Sequence, residues 1–246
     1  MISQQYLLIA IVILLSCSII INIYILFFIK KRYSEEKTRS FFPAHVISDP
    51  ELHSKIGKKI RKRVVLLGDS RIAQWNNLPN IDGFEFIRSG ISGETSAQLR
   101  LRIEQDVLPL KPDYVILQIG INDLIVAGIE PKLEKRITDQ LRDNYQYIFK
   151  ILNNIGIQII LLTIIASDSP PLYRLPFWSS RIPALVGETN RWFVDVAQRY
   201  NVILLDSDKI LSQKGQIKTI YKDTLHLNAD GYFFINQAIE SLFFIR

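Results

Sequence analysis

The residues able to do chemistry in this chain sit in four short segments. Gly68-Asp69-Ser70 closes the aliphatic run Val64-Val65-Leu66-Leu67. Ser89-Gly90-Ile91-Ser92-Gly93-Glu94-Thr95 follows residues 84–88, and Gly120-Ile121-Asn122-Asp123 follows the apolar stretch 114–119. Asp223-Thr224-Leu225-His226-Leu227 precedes a last apolar segment. Between them they offer a hydroxyl, an imidazole with a carboxylate three residues before it, and several hydrogen-bond donors. Those are the parts of acyl transfer. Ser70 is a poor nucleophile unless a base takes its proton. His226 can do that near neutral pH, and Asp223 can fix the ring's tautomer and stabilise the imidazolium. The negative oxygen of a tetrahedral intermediate needs donors already aimed at it. The Ser70 N–H, the Gly93 N–H and the Asn122 side-chain amide are the natural set. Gly93 reads as the opening of a helix, whose positive end adds to that field.

Each segment also has a plainer reading. Gly-Asp-Ser is an ordinary turn after a strand, Ser92-Gly93 a helix cap, and Gly-Ile-Asn-Asp a turn. Asp223 and His226 taken alone are a loop carboxylate and a solvated ring. What favours chemistry is the set, in this order, each segment beside its own structural element. Gly68, Asp69, Gly120 and Asp123 read as turn-forming and supporting groups, and Asp206 and Asp208 as structural.

The elements that must position these groups follow from periodicity. Short apolar runs at 64–68, 84–88, 114–119, 157–164 and 202–206 predict strands buried on both faces. Helical periodicity falls at 95–108, 131–154, 182–200 and 229–243. In the second of these, Leu133, Ile137, Leu141, Tyr145, Ile148 and Leu152 make one stripe. The β-α-β-α-β order predicts a five-stranded parallel sheet with helices on both faces, so the site segments converge on one edge. Residues 167–187 break the rhythm with four prolines and with Tyr173, Phe177 and Trp178. A long aromatic loop in a compact domain is a candidate substrate-side lid.

Other chemistries are excluded by what is missing. Cys17 is the single cysteine, which rules out an internal disulfide, and no His/Cys/carboxylate cluster has metal-ligand spacing. Position 72 is isoleucine, so there is no Gly-x-Ser-x-Gly elbow; no phosphate loop or dinucleotide fingerprint occurs either. The sequence therefore calls for no cofactor and no metal.

The net charge of +6 looks like a nucleic-acid signal until it is located. Residues 30–63 carry 11 Lys/Arg against 4 Asp/Glu, leaving 19 against 20 elsewhere. The basicity lies beside an apolar run, Tyr6–Ile29, of 24 residues without a charge. As a helix that run reaches roughly 36 Å, enough for a hydrocarbon core of ~30 Å. It is too long for the apolar core of a cleaved signal peptide and has no charged residue before it. We therefore expect a transmembrane anchor over 1–29, a basic membrane-proximal linker over 30–62, and a catalytic domain over 63–246. Basic residues there meet lipid headgroups rather than nucleic acid. Lys30-Lys31-Arg32 after the span puts the body on the cytoplasmic side; a periplasmic or other extracytoplasmic body is the alternative.

The four segments together resemble the sequence blocks of the SGNH (GDSL-type) hydrolase, or lipase/acylhydrolase, superfamily. Gly68-Asp69-Ser70 looks like block I and Ile91-Ser92-Gly93-Glu94-Thr95 like block II. Gly120-x-Asn122-Asp123 is similar to block III, and Asp223-x-x-His226 to block V. The resemblance covers roughly residues 63–243. It implies a flavodoxin-like three-layer α/β/α sandwich and a metal-free serine esterase with Ser70 as nucleophile, Gly93 and Asn122 as oxyanion donors, and Asp223 and His226 completing the triad. Two positions depart from it. Arg71-Ile72 stands where many relatives have Ile or Leu and then Thr, a change able to alter the charge of the pocket and one that leaves the substrate open. Ser89 stands where many have Asn.

The resulting expectation is a membrane-anchored esterase acting on a small-molecule, lipid or glycan ester: a lysophospholipid, a short acyl ester or a glycan O-acetyl group. An acyl or acetyl transferase on the same triad and a catalytically silent anchored binding module are the alternatives.

Overall fold

The computed structural model describes residues 2–41, 59–213 and 220–244. Helix α1 (Ile2–Phe41) comes first. Then come β1 (Lys62–Gly68), the short α2 (Ser70–Ala73), β2 (Phe84–Gly90) and α3 (Ser96–Arg102). They are followed by β3 (Tyr114–Gln118), α4 (Ile121–Ile129), α5 (Glu134–Asn154) and β4 (Gln158–Leu162). The chain continues with α6 (Arg181–Arg199), β5 (Ile203–Leu205), α7 (Ser207–Gln213) and α8 (Ala229–Phe244).

The five strands form one parallel sheet in the order β2-β1-β3-β4-β5. Strand side chains alternate between two cores. Val65, Leu67, Val115, Leu117, Ile159 and Leu161 pack with α3, α4, α5 and α6 on one face. Val64, Leu66, Ile116, Ile160 and Leu162 pack with α2, α7 and α8 on the other. Aliphatic residues on both sides of every central strand are what a sheet covered on both faces requires. All strands point the same way, so their carboxyl ends share one edge.

Several elements differ from the sequence reading, among them the short α7, which is not expected from it. Helix 95–108 divides: α3 stops at Arg102, a π-helical turn spans Ile103–Val107, and a 3-10 turn containing Pro109 ends at Leu110. Proline has no N–H to continue the ladder and tightens this end. Helix α4 begins inside what reads as a turn. Ile121 to Gly128 are all buried, so the segment has no polar face and no period to detect. Helix α1 does not stop at Ile29 but runs through the basic residues to Phe41. Lys and Glu are good helix formers, and neither Gly nor Pro intervenes before Pro43. The rest of the expected linker, 42–58, lies outside the described residues.

β1 leaves no room for a side chain against β3 at Gly68. A Cβ there would lie 1.9 Å from the Gln118 carbonyl oxygen and 2.8 Å from the Ile72 side chain. Neither backbone can yield without disturbing the ladder, so Gly68→Ala is expected to destabilise the protein by about 2–3 kcal/mol. Gly156→Ala is the comparison: φ is +76° there, but nothing stands within 4 Å of the new carbon. It carries only the left-handed backbone penalty of about 1–2 kcal/mol. Thermal unfolding in detergent should rank Gly68→Ala below Gly156→Ala; the reverse order contradicts the close approach.

Candidate active site

Ser70 is the first residue of α2, directly past the end of β1. Asp69 caps the helix by accepting from the Arg71 N–H at 3.0 Å. That leaves the Ser70 hydroxyl pointing off the sheet edge, where its Oγ lies 2.9 Å from His226 Nε2. On the other side of the ring, Nδ1 is 2.8 and 3.0 Å from the two Asp223 oxygens. A carboxylate only accepts, so Nδ1 carries the hydrogen and Nε2 is left to accept from Ser70. Asp223 also accepts from the Leu225 and His226 N–H groups, at 2.8 and 3.0 Å. Partial burial works to raise its carboxyl, but those amides and the ring outweigh it and hold the group down at about 2. Asp223 therefore stays ionised across the pH range in which an imidazole can act as base.

The donor segments arrive beside Ser70 on neighbouring strand ends. Gly93 lies in the turn Ile91–Glu94, which is closed by the Glu94 N–H to the Ile91 carbonyl at 3.2 Å. Its φ of +78° is the left-handed value that the third position of a type II turn demands. The expectation that Gly93 opens a helix is corrected here. Helix α3 starts at Ser96, with Thr95 as N-cap in a capping box with Gln98. The Thr-x-x-Gln signature was present in the sequence, so the helix start falls at Thr95 and not at Gly93. Asn122 is the second residue of α4 and 8% exposed. Its Nδ2 donates to the Glu94 carbonyl at 2.9 Å, which uses one of two amide hydrogens. That bond ties the Asn122 side chain to the Gly93 turn.

A family model, the GDSL-like lipase/acylhydrolase family, matches residues 66–233, the segment that contains all of these groups. The chain belongs to that family. Among proteins similar to this GDSL-type chain is an uncharacterized lipoprotein, YqeF, of Bacillus subtilis, 29% identical over 151 residues. That match covers 55% of the present chain and 61% of YqeF, less than two thirds of its length. An acetylxylan esterase of Geobacillus stearothermophilus is 26% identical over 167 residues, which is 63% of this chain and 70% of the esterase. Among solved structures, a GDSL-like lipase of Bacteroides thetaiotaomicron superposes with a TM-score of 0.61 at 20% identity, covering 87% of this chain and 96% of the lipase. At that identity the likeness speaks to the fold.

Beneath the GDSL site lies a layer of buried polar groups that sequence reasoning placed only in part. Asp123 is fully buried and accepts from the Ser96 N–H at 3.0 Å and from its hydroxyl at 2.6 Å. Asn144 on α5 donates to the same hydroxyl at 2.9 Å. Gly120, at φ +116°, caps α4 so closely that a Cβ would meet Ile164 and Leu141, each at 3.1 Å. Glu94 pairs with Arg102, both side chains fully buried, and Arg102 Nη1 reaches Ser89 Oγ at 2.8 Å. The departure at Ser89 thus belongs to a buried ion cluster that holds the Gly93 turn. Nothing in the sequence marks this pair, because charged residues eight apart read as surface.

Arg71 corrects a second expectation. It is 1% exposed, so its guanidinium does not stand open at the mouth of the site. Its Nε donates to the Leu225 carbonyl at 3.0 Å and its Nη1 to the Ile165 carbonyl at 2.7 Å. The guanidinium fastens the loop carrying His226 to the segment after β4. Tyr173, Phe177 and Trp178 sit on and after a 3-10 helix, Leu172–Phe177. Phe177 meets Tyr33 of α1, and Trp178 packs against the core on the α5 face.

Burial raises the Asp123 carboxyl to about 7, against the hydrogen bonds from Ser96 that favour its anion. From about pH 4 up to that value the folded protein holds a proton that the unfolded chain has released. The group thus favours folding at low pH, and its contribution is lost as pH rises through about 7. Unfolding midpoints recorded between pH 4 and 7 should fall with pH in the wild type and fall less in Asp123→Asn. Equal slopes would show that Asp123 is already ionised at pH 4.

Proposed function

We propose that this protein is a serine ester hydrolase working through an acyl-enzyme on Ser70, held to a membrane by α1. The observation that carries the reading is the unbroken relay from the Asp223 carboxylate through His226 to the Ser70 hydroxyl, with 2.8 and 2.9 Å contacts. His226 Nε2 takes the Ser70 proton as Oγ bonds to the ester carbonyl carbon. The resulting oxyanion is met by the N–H groups of Ser70 and Gly93 and by the second Asn122 hydrogen. The imidazolium then protonates the departing alcohol. Water, deprotonated by the same nitrogen, attacks the acyl-enzyme and releases the acid, restoring Ser70. Gly68, Asp69, Gly120 and Asp123 shape and support these turns.

A short acyl group is the substrate class we favour, because one relative is named an acetylxylan esterase. Lysophospholipids and other acyl esters are the wider set. The anchor assignment rests on the apolar helix, whose apolar side chains are exposed, and on a relative named a lipoprotein. In this reading residues 1–29 are the span and the segment up to residue 62 is membrane-proximal. The charges at 30–32 favour a cytoplasmic side for the catalytic domain, 63–246. An extracytoplasmic body would instead be open to a membrane-impermeant protease in intact cells.

Hydrolysis of p-nitrophenyl esters from acetyl to dodecanoyl tests the mechanism and the chain length together. Ser70→Ala should abolish turnover and fluorophosphonate labelling. Asn122→Ala should lower kcat by ~10²–10³ with the fold intact. Turnover within threefold of wild type would remove Asn122 from the oxyanion hole. Silence on every ester, with no labelling of Ser70, favours the binding module; ester products formed with added alcohols identify the transferase.

A further inference from the structure

Helix α1 is fixed to the body at one level along its length. Tyr33 meets Phe177 edge to face at 5.6 Å, and the Ser34 hydroxyl donates to Glu130, just past the end of α4. A cavity of about 190 Å³ between the helix and the body is walled by Phe27, Lys30, Tyr33, Ile129 and Phe177. A second, of about 210 Å³, lies between Ile29, Tyr33, Arg174, Phe177 and Trp178. Phe27 and Ile29 are the last residues of the uncharged run. Phe27 to Ser34 spans only about 10 Å of helix axis. The 3-10 helix Leu172–Phe177 therefore stands at the height where the apolar run ends and Lys30-Lys31-Arg32 begins.

That segment is apolar on its open side: Leu172 is 85%, Tyr173 77% and Leu175 51% exposed. Large apolar side chains left in water beside a span need a cover. If α1 is inserted as far as Ile29, the docking at Tyr33 and Ser34 carries Phe177 and its neighbours to the lipid surface. The chemistry there suits that surface. Tyr33, Tyr173 and Trp178 are rings that settle at headgroup depth, and Lys30, Lys31, Arg32 and Arg174 attract anionic headgroups.

We propose that Leu172, Tyr173 and Leu175 form a second membrane contact, seated in the headgroup region of the bilayer that α1 crosses. The body is thus held on the membrane at two points. The segment works as a footing on lipid rather than as a free cover over Ser70. This rests on the anchoring reading above and is independent of which ester is cleaved.

The test uses the full chain in phosphatidylcholine–phosphatidylglycerol vesicles. An environment-sensitive fluorophore is placed on Leu172→Cys or, as a distant exposed control, on Asn154→Cys, each with Cys17→Ser. Flotation with the vesicles is scored first. Expected is flotation of both proteins, with about half of the emission at 172 lost to a lipid spin-labelled near its headgroup, a depth-dependent effect absent at 154. Flotation with position 172 as unquenched as 154 overturns the second contact and leaves the anchor standing. Failure to float overturns both. Leu175→Cys gives an independent reading should the label at 172 perturb its surroundings, and the same pair of outcomes applies.

Discussion

The structure depends on how closely β1 can lie against β3 at their carboxyl ends. Gly68 passes the Gln118 carbonyl with no room for a side chain. Only that approach lets Asp69 turn the chain into α2 and direct the Ser70 hydroxyl off the sheet edge. On the far side of β3, Gly120 makes the matching turn and starts α4, which delivers Asn122. Two glycines at adjacent strand ends thus set the distance between hydroxyl and amide, and a parallel sheet gives both the same height.

A buried polar layer lies immediately below. Asp69, Glu94 and Asp123 are all nearly or fully inaccessible, and desolvation works against the charge of each. Their partners are specific: the Arg71 amide for Asp69, the Arg102 guanidinium for Glu94, Ser96 for Asp123. Buried groups of this kind are worth little as net stability, yet removing one partner leaves the other stranded. Glu94 with Arg102 joins the Gly93 turn to α3, and Asp123 with Ser96 joins α3 to α4, so the donors are held by the interior as well as by their own loops. Such support is what a preorganised site needs.

How much of this is legible in the sequence depends on the residue. The strand ends are, because four aliphatic residues followed by Gly, Asp or Asn fit little else in an α/β chain. Ser70, His226 and Asp223 are, because a relay needs those three chemistries and this chain has few histidines to supply one. Helix α4 is not, since burial on every side erases the period that reveals a helix. The continuation of α1 to Phe41 is not, since the change from apolar to charged at Lys30 reads as a boundary while the backbone takes no notice of it. Arg71, Glu94 and Arg102 are charges in the interior, and sequence pattern assigns charges to the surface. Their roles appear only once the sheet brings distant segments together.

Ser70 and His226 are 156 positions apart, at opposite ends of the folding unit. Every pairing in the sheet between them is parallel and non-local, a topology that forms slowly. During synthesis the hydroxyl emerges first and waits for its base. A growing chain therefore carries a serine without its base until the segment through residue 226 has left the ribosome and docked.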